Sequence, residues 1–270
     1  MIGVLPNQEI EKLIKIGAIS SDVPIVSEQI QPASLDMRLG SKAFRIRASF
    51  LPGNREKVEE RLKSLQMHEI DLRGGAVLEK GCVYLVPLLE VLKLPTDIQA
   101  AANAKSSTGR LDLLTRTISD SGEEFDRISS GYSGKLYAEI CPRSFSVLVR
   151  TGMKLNQIRF RNKNTTLTDE SLKALHAKEK LVPGNAIIDD GLGFSVDLQP
   201  SHGNLVGYRA KPHTGIIDLD LIDHYDPTEF WDEIRTSCGE IILDPGAFYI
   251  LVSHESVCLL YTSDAADDNA

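Results

Sequence analysis

Hydrophobic positions recur along this chain with two periods, and the shorter period dominates. Ile10, Leu13, Ile14 and the run from Ile16 to Ile19 share one helical stripe, which predicts a short N-terminal helix broken at Gly17. IQPASLDMRLGSKAFRIR then sets Leu35, Met37 and Leu39 against Asp36 and Arg38, the alternation of a strand. NREKVEERLKSLQM, residues 54–67, returns to helical spacing with Val58, Leu62 and Leu65 on one stripe, as expected of an exposed helix. AVLEKGCVYLVPLLEVLKLP, KLYAEICP, FSVLVRTGMKLNQIRF and EIILDPGAFYILVSHESV continue a rhythm of short strands and Gly/Pro turns. So few helices among so many strands predict a mainly β chain, a sandwich or jelly roll.

The pattern also repeats. LEKGCVYLVPLLEV (Leu78 to Val91) and LDPGAFYILVSHES (Leu243 to Ser256) carry Leu, Gly, Tyr and Glu at matching offsets, and SLDMRL and IIDLDL precede them. Two copies of one β fold are expected: a first domain over 1–205 and an incomplete second copy over 213–257. The last residues, CLLYTSDAADDNA from Cys258, read as a non-native tail and stay outside the functional reasoning.

Composition narrows the functional classes. With 270 residues, 42% hydrophobic and 25% charged, the chain can bury one large core or two medium ones. Apolar runs such as CVYLVPLL fall short of the roughly 20 residues that cross a bilayer. MIGVLPNQEIEKLIKIGAI lacks a basic leader and a cleavage site, so a cytoplasmic protein without membrane partners is expected. Cys82, Cys141, Cys238 and Cys258 form no CxxC pair and read as buried, reduced thiols. A formal net charge of −8 opposes broad nucleic-acid binding, so any anion must be held by a local pocket.

Such a pocket is suggested by AKSSTGRLDLL. Lys105 and Arg110 supply charge, Ser106 and Ser107 supply hydroxyls, and Gly109 allows close backbone approach, a set suited to phosphate oxygens. The order is not that of a Walker loop, and a plain helix start would explain the same residues. In GYSGKLYAEI, two glycines bracket an aromatic turn. The following strand puts Leu136, Ala138 and Ile140 on one face and Tyr137 and Glu139 on the other. A glutamate among apolar strand residues is either outward on an edge strand or a shielded carboxyl able to exchange protons near neutral pH.

Taken together, IQPASLDMRLG, AKSSTGRLDLL, GYSGKLYAEI and RTGMKLNQIRF resemble the ordered motifs of the dCTP deaminase and dUTPase superfamily, above all its long two-unit deaminases. The resemblance spans roughly Leu5 to Val257. It implies a dUTPase-like distorted jelly roll in a homo-oligomer with threefold or pseudo-threefold symmetry, each active site lying between neighbouring units. It assigns Lys105, Ser106, Ser107, Thr108, Gly109 and Arg110 to the nucleotide, with Tyr137 and Ala138 beside it, and Glu139 to catalysis.

The implied reaction is hydrolysis of dCTP to dUTP and ammonia, with Glu139 as general acid and base and Ser106 plus a carbonyl within 117–119 clamping the water. Magnesium would arrive with the triphosphate. Zinc is not expected, because the H-x-E and P-C-x-x-C signatures of zinc deaminases are absent. His68, His176, His202, His213, His224 and His254 are expected at surfaces or interfaces.

The chain departs from the family pattern at Ser129 and Ser130, which stand where an aspartate and a proline are usual; Asp126 is the candidate to compensate in sugar recognition. Tyr208, Arg209 and Lys211, in GYRAKPHTG, resemble a C-terminal segment that closes over the nucleotide, though a basic linker would look alike. Gln157 is expected near the subunit centre. A dUTP diphosphatase, a bifunctional enzyme and a non-catalytic nucleotide-binding module are the alternatives.

Overall fold

The N-terminal stripe winds into a helix that a glycine closes. In the computed structural model, which describes residues 3–54, 56–163, 166–199 and 203–257, α1 (Asn7–Lys15) buries Ile10 and Leu13. Gly17 follows at φ 75°, the left-handed conformation that ends helices at little steric cost.

The strands, in chain order, are β1 (Gly3–Val4), β2 (Ile19–Ser20), β3 (Ile30–Gln31), β4 (Ser34–Arg38), β5 (Lys42–Ile46), β6 (Gln66–Asp71), β7 (Ala76–Leu78), β8 (Val83–Lys93), β9 (Ile98–Ala104), β10 (Leu113–Ser119), β11 (Arg127–Ile128), β12 (Ser133–Pro142), β13 (Val147–Val149), β14 (Lys154–Asn162), β15 (Leu205–Ala210), β16 (Ile217–Asp218), β17 (Trp231–Arg235) and β18 (Tyr249–Leu251). Helices α2 (Val58–Leu65), α3 (Ser106–Gly109), α4 (Asp169–Glu179) and α5 (Pro227–Phe230) interrupt them.

Packing divides the described residues into two units. The first joins those up to 163 with 213–225, and the second joins 166–212 with those from 226 onward. This division differs from a boundary at 205. Residues 166–199 pack with the second unit, and 213–225, expected to open the second copy, belong to the first. The cause is pairing: β16 adds in parallel to β13, with Val147 opposite Ile217. The Arg150 guanidinium then grips Asp218 at 2.6 and 2.7 Å and Asp220 at 2.8 Å. The tail expected from Cys258 lies outside the described residues.

The first unit is built from two six-stranded sheets, ordered β11-β9-β14-β4-β3 with β1 on β14, and β10-β12-β8-β5-β6 with β2 on β8; a smaller sheet runs β16-β13-β7. On one face of the second large sheet, Ile46, Leu85, Ile118 and Tyr137 pack with Val58 and Leu62 of α2. That helix is therefore amphipathic, and only its outer face is exposed. At roughly 2 kcal/mol for each large apolar side chain buried, this cluster fixes β12 between its neighbours.

In the second unit the sheet runs β17-β15-β18. The internal repeat is realised there as one turn. Gly81 and Gly246 sit at φ 77° and 79°. Cys82 N donates to Glu79 O and Ala247 N to Asp244 O, both at 3.2 Å. Each following tyrosine hydroxyl accepts the same N–H, Glu79 to Tyr84 at 3.0 Å and Asp244 to Tyr249 at 2.8 Å. The correspondence does not extend to SLDMRL and IIDLDL. The first forms β4, buried on both faces, whereas the second contributes only the two residues of β16. The thiols also depart from expectation: Cys82 and Cys141 are half-buried and Cys238 is exposed, all three free.

Candidate active site

Two neighbouring strands decide the setting of Glu139. β12 lies between β10 and β8, so it is not an edge strand, and residues from Leu136 to Ile140 are buried without a break. The outward reading of Glu139 therefore falls. Its carboxyl group is 2% exposed, with Arg116 opposite on β10 and Leu85 opposite on β8.

Arg116 is the residue that sequence reasoning missed. Its Nε donates to Glu139 Oε1 at 3.1 Å, and its Nη2 donates to the same oxygen. The guanidinium is held in turn by Ser49 Oγ at 3.0 Å and lies 3.8 Å above the Phe125 ring centroid. Glu139 Oε2 is buried and has no hydrogen-bond partner among the described residues. The signal lay in LLTRTIS, where an arginine interrupts a β run just as Glu139 does in its own strand.

Asp126 joins this cluster through the backbone. At φ 61°, its N–H donates to Thr117 O at 2.8 Å while its Oδ1 accepts Thr117 N at 2.7 Å. One of its oxygens is thus committed to the backbone and not to a sugar hydroxyl. Burial pushes the Asp126 carboxyl above the usual range, against the Thr117 N–H and the Arg116 charge, and the Glu139 charge adds a smaller push in the same direction. Of the carbonyls expected to hold water, Thr117 O already accepts Asp126 N and Ser119 O accepts Gly122 N at 3.1 Å. Each retains one lone pair.

The phosphate candidates gather elsewhere in the same unit. α3 is a single turn locked to β14, with Lys105 N and Thr108 Oγ1 both donating to Leu155 O, at 2.9 and 3.1 Å. Thr108 is buried and serves this lock. The Ser106 and Ser107 hydroxyls and the Arg110 guanidinium are exposed and make no hydrogen bond to other described residues, and a Cβ on Gly109 would meet nothing within 4 Å. Lys105 is engaged: its ammonium pairs with Asp36, which is 1% exposed and whose Oδ1 lacks a partner among the described residues. Lys105, Ser107 and Thr108 line a cleft of about 510 Å³ with Arg150, Lys154 and Asp220. A second cleft, about 560 Å³, is lined by Ser119, Asp120, Arg127, Ser129 and Tyr132 among others. Glu139 lines neither, and no hydrogen bond or ion pair among the described residues joins it to Ser106 or Arg110.

Other expected contacts have structural occupations. Tyr137 is a core residue, 1% exposed, whose hydroxyl reaches Glu59 at 3.4 Å. Ala138 is fully buried on the opposite face from Glu139. Gln157, half-buried on β14, accepts from Ser34 Oγ at 3.1 Å. Tyr208 and Arg209 lie on β15 of the second unit. Arg209 sits opposite Tyr249 and ion-pairs with Asp232 and Asp244, and Lys211 donates to Thr228 O, so this basic stretch ties its own sheet together. Of the described histidines, His176 is half-buried and the others are exposed. Among the described residues, no cluster of three or more His, Cys, Asp or Glu side chains could hold a metal, and no helix is long and apolar enough to cross a membrane.

The mainly β frame, with Ser106, Ser107 and Arg110 exposed and Glu139 shielded on a strand, is that of a dUTPase-like fold. Family models agree. Residues 1–164 match the 2'-deoxycytidine 5'-triphosphate deaminase N-terminal domain and residues 168–268 match the C-terminal domain of the same family. The chain belongs to the 2'-deoxycytidine 5'-triphosphate deaminase family. It superposes with a TM-score of 0.90 on the crystal structure of 2'-deoxycytidine 5'-triphosphate deaminase from Agrobacterium tumefaciens, at 48% identity over 94% of this chain and 77% of that one. A dCTP deaminase of Haemophilus influenzae is 32% identical over 50% of this chain and 70% of its own length. A dUMP-forming dCTP deaminase of Coprothermobacter proteolyticus is 28% identical over 58% and 81%.

Proposed function

We propose that the chain hydrolyses dCTP to dUTP and ammonia with Glu139 as the proton-transferring group. The observation that carries this reading is the buried Glu139 carboxylate with one oxygen fixed by Arg116 and the other left open. Glu139 takes a proton from water as the hydroxide attacks C4 of the cytosine. Ring nitrogen N3 is protonated, the tetrahedral centre passes a second proton to the exocyclic amine, and the C4–N bond breaks to release ammonia and leave the C4 carbonyl. The zinc-free form of this reaction is supported by the missing H-x-E and P-C-x-x-C signatures; positioning of the water by Ser106 and a backbone carbonyl takes the metal's place.

Ser106, Ser107 and Arg110, whose side chains are unengaged, are the groups proposed to receive the triphosphate with its magnesium. Because no hydrogen bond or ion pair among the described residues joins them to Glu139, and Glu139 lines neither cleft, we propose that adjoining copies complete each site. Mutagenesis and product analysis test this together. Incubation with dCTP and magnesium yields ammonia and dUTP, while Glu139→Gln retains dCTP binding and loses ammonia release by about 10³-fold. A tightly binding chain with no turnover would overturn the reading.

A second reading, deamination followed by loss of pyrophosphate to give dUMP, is favoured by the dUMP-forming relative. Pyrophosphate appearing in step with ammonia would establish it.

A further inference from the structure

Every buried carboxylate needs its oxygens satisfied, and the first unit shows what full satisfaction looks like. Glu90, 1% exposed on β8, accepts at Oε1 from Gln29 Nε2 and Arg38 Nε, at 2.9 and 2.8 Å, and at Oε2 from Arg38 N at 2.8 Å. Glu139 has an arginine too, yet both of the Arg116 donors converge on Oε1, and Oε2 stays buried and unpartnered. Leaving such an atom unsatisfied costs free energy that a water or a substrate group recovers on arrival. A guanidinium spreading both its donors over one oxygen fixes the carboxylate plane and decides which oxygen is spared.

We infer that Arg116 is a positioning residue for the deamination proposed above: it occupies Oε1 of Glu139 and thereby selects Oε2 as the atom that exchanges protons with water and base. Ser49 and Phe125 hold the guanidinium in place from two sides. The charged or titratable groups facing Glu139 are Arg116 from β10, Asp126 from the segment before β11, and Cys141 from its own strand, while β8 presents Leu85. Arg116 is the cation of that set in direct contact.

The inference rests on the deaminase reading, and the test separates the two. Ammonia release from dCTP is measured for the whole chain and for Arg116→Ala and Arg116→Lys, with dCTP binding and thermal melting alongside. For Arg116→Ala, kcat falls about 100-fold while KM stays within about threefold. Arg116→Lys restores only part of kcat, because a point charge cannot copy the fork. If Arg116→Ala does not fold, Ser49→Ala and Phe125→Leu, which loosen the same guanidinium, carry the test through a smaller fall of kcat at unchanged KM. A kcat per folded molecule unchanged by these substitutions overturns the inference, while an unsubstituted chain that binds dCTP and releases no ammonia overturns the reading beneath it.

Discussion

Glu90 and Glu139 stand on adjacent strands, β8 and β12, each nearly inaccessible and each facing an arginine, yet the two pairs have opposite outcomes. Around Glu90 every acceptor is used. Arg38 closes the arrangement with donors to Pro24 O, Val23 O and Ser21 Oγ, fastening residues 21–24 against the sheet. Around Glu139 the network stops one bond short. Arg116 is 30% exposed and propped on a ring, against 9% for Arg38. The first pair is a strut. The second leaves one oxygen without a partner among the described residues, and the contrast shows that burial and an ion pair alone do not make two sites alike.

Substitutions can break that contrast, beginning with the strut. Glu90→Ala strands the largely buried Arg38 and is expected to cost about 3–5 kcal/mol, read as a fall in the denaturation midpoint. Glu139→Gln should lower the melting temperature far less than Glu90→Ala while removing activity, since the amide oxygen still accepts from Arg116 and that guanidinium is 30% exposed; equal destabilisation by the two substitutions would abolish the distinction. Lys105→Met comes next. It leaves Asp36 buried without its cation, so a stability loss of about 2–4 kcal/mol is expected, with Asp36→Asn in the same chain recovering most of it.

Asp126 sharpens the comparison more gently. Its carboxyl is held above the usual range by burial, so the stability it contributes is fullest below the unfolded value and declines as pH rises through the higher folded one. Asp126→Asn keeps the acceptor for Thr117 N and tolerates the positive φ, so melting should depend less on pH above the usual carboxylate range, with a small gain at neutral pH. The smallest effect concerns the strap of residues 213–225. The Arg150 guanidinium lowers Asp218 to about 2, so this attachment is present above the usual carboxylate range and is lost only as pH falls through that value. Asp218→Asn should expose residues 213–225 to limited proteolysis at neutral pH while leaving the large sheets folded; unchanged cleavage would show that β16 pairing alone holds the strap.

Much of the frame is written locally. The LxxGxxY turn folds alike at Leu78–Tyr84 and Leu243–Tyr249, because glycine at positive φ and a tyrosine five residues after the donor N–H suffice to close it. The consequences of that turn differ between the two places. Tyr84 lies in an eleven-residue strand paired on both sides, whereas Tyr249 begins a strand of only three residues. Strand neighbours, which the local code does not specify, make that difference.

The candidate site divides in the same way. Glu139 and the cluster from Lys105 to Arg110 are conspicuous in sequence because charge among apolar residues and paired serines before an arginine are unusual in their surroundings. Arg116 is silent there: its meaning comes from lying opposite Glu139 in the β10–β12 register, 23 residues away. Tyr208 and Arg209 read locally as part of a basic segment, and their place in the β15 sheet is likewise absent from the local pattern. Alternation, turn chemistry and the family motifs therefore belong to the sequence by itself, because each depends on residues within one turn or strand. Which lysine is neutralised, which tyrosine is core and which oxygen of Glu139 stays free were decided only by tertiary structure, because hydrogen-bond satisfaction in a buried site depends on groups that the fold brings together from distant strands.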